Sequence, residues 1–213
     1  MKKEKISNQV ISRLPKYYRC VEELYLSSCV RVSSTTLSQR LGFTAAQIRQ
    51  DFSCFGEFGL QGYGYNVKKL RYEIREILGL NSRNTAILIG CGNLGSALIK
   101  NFDFEACGFF LLSAFDLDER TVGQQIGQIR ILDAGLLERF IRVEKPTMAV
   151  LCLPKEQVQA VAEQLKAWGV EAFWNFTGMP ISVEGALVET VDFAESLLTL
   201  SYRINQKRPP EEL

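Results

Sequence analysis

TAILIGCGNLG, residues 85–95, is the stretch on which the fold turns. Its first half, Thr85 to Ile89, is a short apolar, β-branched run of the kind that forms a buried strand. It enters Gly90, Cys91, Gly92, Asn93, Leu94 and Gly95, and helix-forming residues continue to about Phe104. A second run, Phe109 to Phe115, reads as a strand ending on Asp116, which lies 21 residues beyond Gly95. Strand, GxGxxG, helix, strand and acid in that order form the dinucleotide-binding fingerprint. Gly90 permits the tight turn, Gly92 lets the backbone approach a pyrophosphate, and Gly95 lets helix and strand pack closely. The helix N-terminus then presents its amides to the anion. Asp116 is placed to accept both ribose hydroxyls of NAD and to repel the extra phosphate of NADP, so NAD is the expected ligand. The plainer alternative for Asp116 is a turn residue at a strand end.

Working outward toward the C-terminus, strands are predicted at Thr147 to Leu153 and Ala172 to Phe176, with an amphipathic helix from Val158 to Trp168 between them. A weaker strand around Ile129 to Leu132 and a helix through Leu136 to Ile141 precede them. Alternating strands and helices imply an α/β domain over residues 83–191 with a Rossmann-like parallel sheet. Ligands of open α/β sheets gather at the carboxyl ends of strands, which nominates Leu153, Pro154 and Asn175 to Gly178 as cavity walls. The last helix, Asp192 to about Ile204, carries Phe193, Ala194, Leu197, Leu198, Leu200, Tyr202 and Ile204 around most of its circumference. One buried stripe cannot account for that pattern. Residues 192–213 are therefore read as a C-terminal helix and tail exchanged between two protomers of a homodimer.

Working outward toward the N-terminus, residues 1–82 read as short helices followed by a glycine-rich hairpin. Val10, Ile11, Leu14, Tyr18, Val21, Leu24 and Tyr25 share one helical face, in a helix ending near Ser28, with Pro15 marking a start or kink. Ser33 and Ser34 cap a second helix that Gly42 closes. Thr44 and Gln47 have the spacing of a capping box for a third helix. Gly56, Gly59, Gly62 and Gly64 alternate with Phe55, Phe58, Tyr63 and Tyr65, as in a tight hairpin whose aromatic rings pack back onto the helices. Asn66 caps a fourth helix. This is the pattern of a winged helix-turn-helix. Gln47, Arg49, Gln50 and Ser53 on the third helix would meet DNA bases or phosphates, with the wing on the backbone nearby.

Charge follows the same division. The chain of 213 residues has a formal charge of +1, yet residues 1–83 carry 14 Lys and Arg against 7 Asp and Glu, and residues 84–213 carry 11 against 17. A basic first half favours DNA over the alternative of a helical domain with a merely solvated face. The absence of histidine excludes Ser-His-Asp and Cys-His nucleophile systems and His-ligated metals. Six scattered cysteines show neither CxxC nor clustered spacing, so neither zinc nor a disulfide framework is expected. Cys91, between two glycines at a helix start, raises the hypothesis of a depressed thiol pKa and oxidation sensing. The favoured reading is a small packed residue. No apolar run reaches membrane-span length and no apolar segment follows MKKEKISNQ, so a cytoplasmic protein is expected.

Taken in order, Ile11-Ser12-Arg13-Leu14, Tyr17-Tyr18-Arg19, Ser33-Ser34, Gln47-Ile48-Arg49 and Phe52-Ser53-Cys54-Phe55-Gly56 form one constellation. With Gly62-Tyr63-Gly64-Tyr65, Gly90-Cys91-Gly92-Asn93-Leu94-Gly95, Phe115-Asp116, Asn175-Phe176 and Val191-Asp192-Phe193, it resembles the redox-sensing transcriptional repressor Rex family over nearly the whole chain. The resemblance implies an N-terminal winged helix, a Rossmann domain and a swapped C-terminal helix. It implies a homodimer that binds operator DNA, an A/T-rich inverted repeat, when NADH is scarce and releases it when NADH binds. It further implies that the partner's Phe193 lies against the nicotinamide and that Asp192 pairs with Arg19 in the DNA-binding form. Tyr17, Ser33, Ser34, Thr44, Phe55, Gly56, Gly62 and Tyr63 are carried over as DNA-side residues, with no catalytic residue and no metal.

Departures from the family pattern are Gln50, where a basic residue is usual, Leu60 and Gln61 at a normally basic wing tip, and Thr177-Gly178 after Asn175-Phe176. Asn101 stands where the family places a tyrosine that receives the swapped aspartate. The alternatives to an NADH-responsive repressor are an NAD-dependent oxidoreductase with a helical accessory domain and a paralogue whose NADH coupling is weakened.

Overall fold

The computed structural model describes residues 6–56, 58–60 and 63–207, with only the backbone of Leu60. Gly62 and Gln61 thus lie outside the described residues. The chain divides into two compact units, Met1–Ser82 and Arg83–Leu213.

In the first unit, α1 (Asn8–Leu26) is capped by Ser7 and contains Pro15 without ending there. A two-residue strand β1 (Arg31–Val32) leads into α2 (Ser34–Leu41), whose cap is Ser33 and whose end is Gly42 in the left-handed region at φ 73°. The helix α3 (Ala45–Ser53) starts on Thr44, whose hydroxyl accepts the Gln47 amide at 3.1 Å. The hairpin β2 (Gly59–Leu60) and β3 (Gly64–Asn66) follows, and α4 (Val67–Ile77) is capped by Asn66. β1 pairs antiparallel with β3 on the side opposite β2, so the wing is three-stranded. Phe52, Phe58 and Tyr65 pack edge to face inside a core with Leu37, Ile48, Val67 and Leu70. Tyr63 departs from expectation: it projects into solvent at 71% exposure, because it lies in the turn before β3, where Gly64 at φ 68° breaks the strand alternation that would otherwise give it the same face as Tyr65.

The second unit is a seven-stranded sheet. Its strands in chain order are β4 (Asn84–Ile89), β5 (Phe109–Asp116), β6 (Gln125–Ile126), β7 (Ile129–Asp133), β8 (Met148–Leu151), β9 (Ala172–Asn175) and β10 (Leu187–Thr190). Their spatial order is β10-β9-β8-β4-β5-β7-β6, parallel throughout except for the β6–β7 pair. The helices are α5 (Asn93–Asn101), α6 (Leu137–Glu144), α7 (Val158–Trp168) and α8 (Phe193–Gln206). α5 stops at Asn101, short of the expected Phe104, and a 3-10 turn at Glu105–Cys107 brings the chain into β5. Buried Ile87, Leu88, Ala149 and Val150 make the central strands apolar on both faces, as a sheet covered by helices requires. Because the crossovers leave β4 toward β5 on one side and the later strands return on its other side, a crevice opens at the carboxyl ends of β4 and β8.

Candidate dinucleotide cavity and nucleic-acid interface

In that crevice lies a cavity of about 960 Å³, lined by Gly90, Gly92, Asp116, Leu153, Pro154 and Gln157 and continuing between α6 and α7 to Trp168. Its volume falls within the range of cofactor sites. The glycines fit the role expected of them for different reasons. A Cβ on Gly90, at φ +94°, would stand 2.5 Å from the Cys152 carbonyl, and one on Gly95 would stand 2.0 Å from the Gly90 carbonyl. A Cβ on Gly92 would meet nothing within 4 Å, so the backbone faces open space there. Gly92 also caps α5 without a side-chain acceptor, leaving the first amides of the helix available to an anion. Asn93 and Leu94 are exposed on that first turn.

Asp116 sits at the end of β5 with both oxygens engaged. Oδ2 accepts the Cys91 amide at 2.6 Å, while Oδ1 accepts the Leu117 and Asp118 amides at 2.7 and 2.9 Å. The carboxylate therefore ties the glycine loop to the strand beside it, besides lining the cavity. For Cys91 the structure reverses the sensor hypothesis. Burial, and then the Asp116 charge, push its thiol up to about 12, the opposite of what reactivity needs. Asn175 is also corrected. It is fully buried and away from the cavity, donating to the Met179 carbonyl at 2.7 Å and to Thr190 Oγ1 at 3.2 Å while accepting from Thr177. It shapes the loop after β9 rather than walling a ligand. Phe193 begins α8, exposed at 61%, with its ring 6.4 Å from that of Phe176. Asp192 caps α8 by accepting the Ala194 amide, and Asn101 is exposed, donating to the Ala97 carbonyl of its own helix.

On the first unit, α3 presents Arg49, Gln50 and Ser53 to solvent and Gln47 partly so. Arg49 is held by Ser34 Oγ at 3.0 Å, and Ser53 returns its hydroxyl to the Gln50 carbonyl. Ser33 and Thr44 cap their helices at the surface, Phe55 is half-buried, Gly56 is exposed and Arg19 lies exposed on α1. Tyr17 is the clear correction on this side. It is fully buried, and its hydroxyl donates to Asp51 Oδ2 at 2.6 Å, so it cannot touch DNA. Arg13 grips the same carboxylate through Nε at 2.6 Å and Nη2 at 2.8 Å. This Arg13–Asp51–Tyr17 cluster fastens α3 to α1. One sequence signal pointed to it, an aspartate three residues after Ile48 on the otherwise apolar stripe of α3.

Both units match known protein families. A model described as "Putative DNA-binding protein N-terminus" matches residues 5–53, and the CoA binding domain model matches residues 81–179. The "Redox-sensing transcriptional repressor Rex" of Clostridium tetani is 44% identical over 207 residues, covering 97% of this chain and 98% of the relative. That of Clostridium novyi is 46% identical over 207 residues, covering 96% of this chain and 98% of the relative. The chain belongs to the Rex family. Among solved structures, RSP with beta-NAD+ and operator DNA superposes with a TM-score of 0.90 at 41% identity, covering 96% of this chain and 94% of that one. RSP with beta-NADH gives 0.88 at 39% identity, covering 96% of each. RSP is itself described as a Rex-family repressor. This Rex-family chain therefore has the family's two-module architecture over almost its entire length. Among its described residues no helix is long and apolar enough to cross a membrane.

Proposed function

We propose that this chain is a cytoplasmic, homodimeric repressor that holds operator DNA when NADH is scarce and releases it when NADH binds. The observation that carries this reading is the joining, on one Rex-family chain, of a solvent-presented recognition helix to a cavity with an uncapped helix N-terminus and a strand-end aspartate. α3 enters the major groove through Gln47, Arg49, Gln50 and Ser53, and a two-fold dimer matches an inverted A/T-rich repeat. The dinucleotide lies along Gly90 to Gly95, its pyrophosphate over the α5 amides and its ribose at Asp116. Reduced nicotinamide is neutral whereas the oxidised ring is cationic, and an apolar surrounding that includes the partner's Phe193 disfavours the cation. Only such a difference in affinity between two arrangements of the dimer lets a ligand shift their populations.

Sensing rather than turnover is supported by the ionisable groups of the cavity. The chain has no histidine. Asp116 is occupied by three backbone amides, Asp118 pairs with Arg120 at 2.8 Å, Glu138 pairs with Arg142 at 2.7 Å, and burial pushes the Cys152 thiol up to about 12. None is poised as the proton donor or acceptor that hydride chemistry needs.

The test is binding to a fluorescein-labelled duplex carrying an A/T-rich inverted repeat, titrated with NADH and, separately, with NAD. Binding at low salt, release by NADH and retention in excess NAD are the expected results. Binding indifferent to NADH would sink the sensor reading, and no binding at low salt would sink the repressor.

A further inference from the structure

The wing of this protein is short of positive charge. From Gly56 to Tyr65 the sequence contains no Lys or Arg, and Glu57 is its single charged residue. A hairpin of net negative charge brings no cation of its own to a phosphate backbone or to the negative potential of a narrow minor groove. The fold nonetheless brings a cation to it from 32 residues away in sequence. β1 is the third strand of the wing sheet, with Arg31 opposite Asn66 and Val32 opposite Tyr65. The alternation that buries Val32 in the core sends Arg31 outward. Its guanidinium donates from Nη1 to the Tyr63 carbonyl at 3.3 Å and lies 5.8 Å from the centre of the Tyr63 ring. Both side chains are exposed, and Arg31 makes no ion pair with any acid among the described residues.

Resting on the repressor reading above, we propose that Arg31, braced by Tyr63, is the wing's contact with duplex DNA. Its guanidinium supplies the positive charge absent from the hairpin's own sequence. An arginine held by one backbone bond and one ring face has part of its rotamer freedom already spent, while its remaining N–H donors stay free for phosphate or groove-edge acceptors. Tyr63, which no packing role explains, is then the residue that aims it. The ring cannot be replaced by an aliphatic side chain without losing the cation–π contact.

The experiment measures binding of the full-length chain to the same A/T-rich inverted-repeat duplex over a range of salt concentrations, for Arg31→Gln, Arg31→Lys, Tyr63→Leu and Arg49→Gln. Arg31→Gln is expected to weaken binding about tenfold and to flatten the plot of log K against log salt by about one unit per subunit. Arg31→Lys should restore the slope but only part of the affinity, and Tyr63→Leu should weaken binding at an unchanged slope. Thermal unfolding should be unmoved by all three, since these side chains are exposed. If Arg31→Gln leaves affinity and slope unchanged while Arg49→Gln lowers binding, the wing proposal is overturned and the DNA reading survives. If the unaltered chain does not bind, both fall together.

Discussion

Asp51 shows how much one side chain can decide. It lies on α3, the helix proposed above to meet DNA, yet only 3% of its side chain is exposed. Burial alone would raise its carboxyl, but the bonds from Arg13 and Tyr17 more than offset that and hold it below the ordinary value of 3.8. The sign of the linkage follows. Stability from a depressed carboxyl is complete above pH 3.8 and is lost as pH falls through the lower folded value. Tyr17 behaves conversely. Burial and the Asp51 carboxylate raise its phenol above 10, so its contribution holds below pH 10 and fades as pH rises through the folded value. Removing one partner of a buried ion pair leaves the other charge stranded, so Asp51→Ala should destabilise the first unit by about 3 kcal/mol in urea unfolding. Asp51→Asn should flatten the acid limb of the stability curve below pH 4. An alanine variant as stable as the parent would show that the cluster is not holding α3 to α1.

Among elements, the loop from β4 to α5 is the most demanding. Gly95→Ala places a methyl group against the Gly90 backbone at 2.0 Å, where no flexible side chain can yield, whereas Gly92→Ala points into open space. Isothermal titration with NADH should therefore find binding weakened by well over about tenfold in Gly95→Ala, with the second unit less stable. Gly92→Ala should keep its stability and lose affinity only, through the methyl group's intrusion on the pyrophosphate. Equal stability losses in the two variants would refute that division of labour. Most of this unit was legible because apolar runs and glycine spacing are local signals. β5 ends on Asp116 as expected, and α7 occupies the predicted residues 158–168. What escaped was non-local. β1 exists because Arg31 and Val32 find β3 more than thirty residues later, and β10 is an edge strand with no fully buried residue to mark it. Asn175 and Tyr17 were misplaced for a related reason. A polar residue satisfied inside the fold has the same letter as one facing a ligand, and only its partners separate the two.

At the scale of the whole molecule, the expected all-round apolar helix is present, and its side chains stay exposed among the described residues. α8 has no buried residue, and Leu197, Leu198 and Tyr202 are 67, 69 and 65% exposed. A 14-residue helix is marginal alone in water, so its packing must come from elsewhere. A second copy supplies it in the dimer proposed above. Leu197→Glu combined with Leu198→Glu should convert a dimer into a monomer by light scattering and weaken operator binding about a hundredfold or more, since half-site binding loses its partner. A double variant that remains dimeric would assign α8 to another role. The bare apolar face of α8 also gives the protein a dependence on its own abundance. At low abundance, where chains find one another rarely, the population able to span two half-sites grows as the square of chain concentration. In that regime, halving the supply of this polypeptide would leave about a quarter of the dimer and so remove far more than half of the repression at a fixed NADH level.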